Sequence, residues 1–297
     1  MRVASIFLRH GTRKFPDAEQ HMDEIFARQM PAVERDTVVV DTMMPAGRVE
    51  RNSDHRVLLG GDNSFSEFSA ADGAVSWFGN RIWSYDLVHI ATSAFSTHYV
   101  RYLERFDMKL LSAVAARPAC VGHIDCYNDP IEILTYQSQH WLRTSFLFVP
   151  PTELMALGSL VSFRDAASVF SGDSERPFCS EAPLSQRYRQ YIFDWLTGAD
   201  IGQGVTWHSG SALTQEKLPE FERKTMAILN EHLFAIRLRA MGCRVIDTTW
   251  LATQLGTGEA HGVPWRLNWR DQLATRDTDP LRLKDNSGGP IVTSGAV

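Results

Sequence analysis

Apolar residues along this chain come in short runs separated by turn-forming residues. The first run, residues 3–8, predicts a strand that passes through Arg9-His10-Gly11-Thr12-Arg13 into a polar, helix-like segment ending near Met30. Residues 37–40, Thr-Val-Val-Val, are continuously β-branched, as in a strand buried on both faces of a parallel sheet, and the run ends in Asp41. A Pro/Gly/Arg-rich loop over residues 45–55 precedes a brief apolar run at 57–59. A turn from Gly60 then leads through Asp62 and Asn63 into a helix reaching Val75, and residues 85–91 predict the next strand. Strand, helix, strand, strand-turn-helix, strand is the order of an open α/β sheet, in which ligands sit at the carboxyl ends of the strands. Arg9, Asp41, Asp62, Asn63 and Thr92 each follow a predicted strand and converge on that edge.

Farther on, residues 230–242 predict a helix that starts at Asn230-Glu231. Its apolar face carries Leu233, Ile236, Leu238 and Met241, Arg237 and Arg239 lie toward its C-terminal half, and Gly242 is its left-handed cap. A short strand follows at 243–246. Glu231, an acid at a helix start, is either dipole compensation or a catalytic base. Between these regions, residues 171–177 predict a loop and 183–196 an amphipathic helix with Tyr188, Tyr191 and Trp195. Residues 198–211 are Gly-rich and contain Trp207 and His208. The chain turns polar and Gly-rich after Trp250, and residues 285–297 predict a mobile tail.

Composition narrows the class. At 297 residues, with 44% hydrophobic and 22% charged content, the chain fits one large domain or two small ones. A net charge of −5 lacks the basic excess that binds a phosphate backbone, so no nucleic-acid partner is expected. No apolar run reaches the length of a membrane span and the first residues lack the layout of a signal peptide, which predicts a cytoplasmic protein; peripheral membrane association stays open. Cys120, Cys126, Cys179 and Cys243 contain no C-x-x-C pair and read as reduced thiols.

Two families share parts of this pattern. Arg9-His10-Gly11, with Pro16 close behind, resembles the Arg-His-Gly signature of histidine phosphatases, which implies a phosphohydrolase with His10 as nucleophile and arginines holding the phosphoryl group. That family's second half has no counterpart here, His123 and His261 being the nearest candidates for its second histidine.

A strand ending in Asp41, an Asn-bearing turn at Asn63, a strand running into Thr92-Ser93, and an acid before Arg237-Leu238 and Gly242 resemble, in that order, the GT-A-fold glycosyltransferases. Residues 62–74 and 141–149 are similar to bacterial polysaccharide transferases of the rhamnan-synthesis group. The resemblance implies a GT-A-like, open, mostly parallel sheet flanked by helices over residues 1–250. It also implies a helical and aromatic insertion at 162–225 before the last core helix, and a C-terminal extension at 251–297.

The resemblance further implies an inverting transfer from a nucleotide sugar to a saccharide or other hydroxyl, with Glu231 as base. Arg9, Asp41, Asp62, Asn63, Thr92 and Ser93 then lie at the donor, and His123, Asp125, Trp207 and His208 at the acceptor. The metal-binding Asp-x-Asp of many such enzymes is missing: the strand end reads Ala91-Thr92-Ser93-Ala94. No metal ligand and no cofactor is therefore assigned, although a divalent metal is compatible with the family. That gap leaves a third reading, a nucleotide- or sugar-binding protein of the same fold without catalysis. Each polar group also has a structural reading, Asp41 as a turn cap and Asp62 or Ser64 as a helix cap.

Overall fold

The computed structural model describes residues 1–97, 100–199, 210–257 and 267–277. Eight strands and eight α-helices follow in the order β1 (Arg2–Arg9), α1 (Ala18–Gln29), β2 (Glu34–Asp41), β3 (Val49–Ser53), β4 (Arg56–Gly60), α2 (Glu67–Phe78), β5 (Leu87–Thr92), α3 (Met108–Ala115), β6 (Ala119–Ile133), β7 (Tyr136–Val149), α4 (Pro151–Ala156), α5 (Gln186–Thr197), α6 (Leu218–Ala240), β8 (Arg244–Asp247), α7 (Thr248–Thr257) and α8 (Trp269–Asp277). The strands form one mixed, mostly parallel sheet in the order β3-β4-β2-β1-β5-β7-β6-β8. The parallel pairings are β1 with β2 and β5, β2 with β4, and β6 with β8. Fold class is thus α/β, as the periodicity predicts.

Alternation along the central strands explains why helices cover both faces. Ala4, Ile6 and Leu8 of β1 join a core with α2, α4 and α6, whereas Val3 and Phe7 join a second core with α1, α3 and α7. A third, smaller core gathers α5, the first half of α6 and the far end of the β6–β7 hairpin.

The long hairpin departs from regular pairing twice. Four residues of β7, 143–146, oppose His123 alone between the pairs Gly122↔Leu147 and Ile124↔Leu142. Four residues of β6, 127–130, oppose Gln139 between Cys126↔His140 and Ile131↔Ser138. Pro130, which has no N–H for a ladder, is tolerated because it lies in the second bulge. Bulges of this kind turn side chains out of the pleat.

Several sequence expectations change. Within the predicted loop at 45–55, residues 49–53 are an edge strand, β3, antiparallel to β4. Helix α6 starts twelve residues before Asn230, because Leu218, Phe221, Met226 and Leu229 already supply a buried face. The 225/226 insertion boundary therefore falls inside α6, and the 250/251 boundary falls inside α7. Beyond it, α8 packs back on the sheet through the buried Gln272, whose Oε1 accepts from the Asp247 amide at 2.7 Å. Residues 285–297 lie outside the described residues. Among those described, no helix is long and apolar enough to cross a membrane.

Candidate functional site

Parallel pairing brings the ends of β1, β2, β4 and β5 to one edge: Arg9 pairs with Asp41, Leu8 with Thr92, and Asp41 with Gly60. Asp41 organises this half of the edge. Its Oδ1 accepts the amides of Gly11 and Met43, both at 2.9 Å, and its Oδ2 accepts Arg9 Nε at 2.8 Å. Burial works to raise the Asp41 carboxyl, but the amides of Met43 and Gly11 and the Arg9 charge outweigh it and hold the group below its ordinary range. Arg9 is also paired with Glu19 at 2.8 Å, so two carboxylates already share its guanidinium. Exposed His10 bonds Thr42 Oγ1 through Nδ1 at 2.8 Å.

The next loop is tightly fitted. A Cβ at Gly60 would meet the Pro45 carbonyl oxygen at 1.8 Å, and one at Gly61 would meet Val40 Cγ1 at 2.4 Å, which is why two glycines close β4. Asp62 is exposed; its carboxylate accepts the Ser64 amide at 3.0 Å and the Ser64 hydroxyl, and the Ser64 hydroxyl is the chief reason its carboxyl titrates below the ordinary range. Asn63 is exposed. Ser66 holds a non-glycine residue at φ +53°, a strained conformation at the entrance to α2. At the end of β5, the Ser93 amide donates to Leu8 O at 2.8 Å, and Thr92 and Ser93 are both half-buried.

Glu231 lies on the other half of the edge, and its setting is not a helix start. It sits mid-way along α6, so the N-terminal dipole does not act on it. Its Oε1 accepts the Thr144 amide at 2.9 Å and the Thr144 hydroxyl at 3.1 Å, both delivered by the β7 bulge. Oε2 accepts no hydrogen bond from the described residues. Burial raises the Glu231 carboxyl to about 7; Glu67 adds to the rise, while Thr144 and Arg143 oppose it. Glu67 opens α2 and is half-buried, and burial raises its carboxyl too.

Behind Glu231 stands a charged relay on the hairpin. Arg143 Nε donates to Asp125, and Asp125 Oδ1 lies 3.3 Å from His123 Nε2. Burial opposes the Arg143 charge, but Asp125 and Glu231 hold it protonated. The buried Tyr102 hydroxyl lies against Ser145, within electrostatic reach of Arg143 and Asp125, and burial raises it. Tyr127, from the β6 bulge, stacks on Tyr191 at 4.8 Å and has its hydroxyl raised by burial and by the charge of Glu231. Asp247, at the end of β8, accepts the amides of Thr249 and Trp250, capping α7, and that of Ile124 on β6.

The structure therefore gathers Arg9, Asp41, Asp62, Asn63, Thr92 and Ser93 along one stretch of edge, and Glu231 with Asp125 and His123 along the next. Trp207 and His208 lie outside the described residues. Sequence reasoning missed Glu67, Thr144, Arg143, Tyr102, Tyr127 and Asp247. The polar triplet Arg143-Thr144-Ser145 inside an apolar strand was the one local signal for a bulge, and Asp247 before Thr-Thr-Trp was a signal for a cap. Among the described residues no three His, Cys, Asp or Glu side chains converge to hold a metal ion. No family model, curated protein or solved structure matches the chain.

Proposed function

We propose that the chain is a glycosyltransferase that moves a sugar from a nucleotide-sugar donor to a hydroxyl of a saccharide acceptor with inversion, Glu231 serving as the base. The observation that carries this reading is the half-bonded carboxylate: Oε1 is fixed by Thr144, Oε2 has no donor among the described residues, and burial raises the carboxyl to about 7. A base with that proton affinity is largely ionised just above neutrality and still strong enough to take a hydroxyl proton in the transition state.

In the displacement, the acceptor oxygen attacks the anomeric carbon while its proton passes to Glu231 Oε2. The bond from that carbon to the diphosphate oxygen breaks, and its electron pair leaves with the nucleoside diphosphate. Asp41 acts on the donor indirectly, by fixing the loops at Gly11 and Met43, since its oxygens are engaged by its own chain. Asp62, Asn63, Thr92 and Ser93 contribute polar groups along the same edge. A divalent cation, common in the family this chain resembles, does not fit the residues here: Thr92 and Ser93 bring no carboxylate, so no step runs through a metal.

The phosphatase reading is weaker on this geometry. Arg9, the residue before His10, is shared between Asp41 and Glu19 and presents little net charge to a phosphoryl group.

The test is Glu231→Gln assayed against a panel of UDP-, GDP- and dTDP-sugars. Transfer should fall by about 10²–10⁴-fold, the usual contribution of a general base, while thermal stabilisation by the donor persists. Undiminished turnover removes Glu231 as base. Stabilisation by phosphate or vanadate alone, with activity lost in His10→Ala, replaces the whole reading by the phosphatase.

A further inference from the structure

Glu67 has no role in the displacement just described, yet it lies within electrostatic reach of Glu231, on a helix that packs against α6. It begins α2, whose first turn packs near α6, and its carboxylate accepts no bond from the side chain or amide of any other described residue. An acid at a helix start ordinarily bonds the free amides of the first turn. This one bonds only its own amide, and it senses the charges of Glu231 and Arg223 on α6.

Two aromatic side chains share that seam. Phe65, two residues before Glu67, and Trp141 on β7 are each half-buried, and each packs against both the core over the sheet and the smaller core under the hairpin. Trp141 stacks against His232, the neighbour of Glu231, at 4.3 Å and against Tyr127 at 4.7 Å. Its indole N–H donates to no described residue, although it is not sealed from solvent.

An apolar aromatic wall, an unspent indole N–H and two accepting carboxylates match the chemistry of a pyranose. Such a ring has an apolar C–H face and a rim of hydroxyl donors. Glu231 and Glu67 also disfavour an anionic ring: of the two cations nearby, Arg143 is committed to Asp125 and Arg223 acts on Glu67, so the charge of Glu231 stays uncompensated above neutrality. We infer that the seam between the start of α2 and the middle of α6 is the acceptor subsite, that it takes a neutral pyranose, and that Glu67 and Trp141 recognise the ring while Glu231 meets the reacting hydroxyl. This rests on the glycosyl-transfer reading and deepens it by naming the acceptor class and two residues that select it.

The experiment uses the full chain without donor, at pH 7.5, with saturation-transfer NMR. The probes are methyl pyranosides of the gluco, galacto, manno and rhamno series, methyl glucuronide, and separately the nucleotide sugars. At least one neutral pyranoside should receive saturation through its ring protons, and the glucuronide should receive little. Trp141→Phe should weaken that binding about threefold and Trp141→Ala about tenfold, in line with the worth of an aromatic contact. Glu67→Gln should narrow the preference for the neutral ring over the glucuronide by severalfold. Neutral binding unchanged in both Trp141→Phe and Glu67→Gln overturns the subsite. So does failure of every pyranoside to bind while a nucleotide sugar binds, an outcome that leaves the transferase reading standing; failure of both ligand classes removes the two together.

Discussion

Asp41 and Glu231 are both acids at the carboxyl edge of one sheet, and they are used in opposite ways. Asp41 has both oxygens engaged by Gly11, Met43 and Arg9, and these bonds keep it ionised below the ordinary carboxylate range. Glu231 has one oxygen engaged and one without a donor among the described residues, and burial lifts its carboxyl to about 7. A fully bonded carboxylate stabilises loops. A half-bonded one in a poorly solvated place has proton-transfer capacity left over. Counting bonds to each oxygen separates the two roles where sequence position does not.

The largest effect that tests the contrast is catalytic. Glu231→Gln keeps the Thr144 bonds and removes only the proton acceptor, so turnover should drop by about 10²–10⁴-fold; comparable losses in Asp41→Asn with intact folding would show that the two acids are not different in kind. The pH profile of turnover should fall on the acid side with an apparent pKa near 7 as Glu231 gains its proton.

Next in size is stability. Asp41→Asn turns an acceptor toward Arg9 and two amides into a mixed donor and acceptor, and should cost about 2–4 kcal/mol in denaturant unfolding at pH 7. The contribution of Asp41 is present above the carboxylate's unfolded pKa of about 3.9 and is lost as acid carries it through its lower folded value.

Glu231 has the reverse sign. Its raised folded pKa means that its contribution is fully present below the unfolded value of about 4.3 and is lost as pH rises through about 7. Glu231→Gln should therefore stabilise the protein at pH 8, by an amount on the order of 1–3 kcal/mol, and leave it nearly unchanged at pH 4. A loss of stability at pH 8 would mean that the carboxylate is well bonded after all. The smallest effect is a shift: Thr144→Ala deletes one donor to the ionised form, so the acid limb of turnover should move up by a few tenths to about one pH unit.

Much of the first half of the fold was legible in the chain. The run Thr37-Val38-Val39-Val40 ending in Asp41 specified a strand buried on both faces, and the positions after β1, β2, β4 and β5 fell on one edge because parallel pairing allows little else. The site around Glu231 was legible only in part. Asn230 looks like a helix cap, but it is fully buried, with its Oδ1 accepting from Ser162 and Phe163 and its Nδ2 donating to Phe163 and Met226. An amide that spends three of its four bonds on the chain at Ser162 and Phe163 is locally indistinguishable from one that caps. Glu67 and Thr144 meet Glu231 from segments 164 and 87 residues away, and no local pattern reports contacts at that range. The two bulges were hidden for the same reason, since an extra residue in a strand is defined by its partner.

The β7 bulge makes the geometry at Glu231 a matter of chain length as much as of residue identity. The residues on either side of it are locked, Leu142 opposite Ile124 and Leu147 opposite Gly122, so the surplus between them has nowhere to go but outward toward α6. Excising Ser145 alone would keep Thr144 and yet shorten the surplus opposite His123 by one residue. The bulge would tighten, and Glu231 would lose its anchor with Thr144 still in the chain.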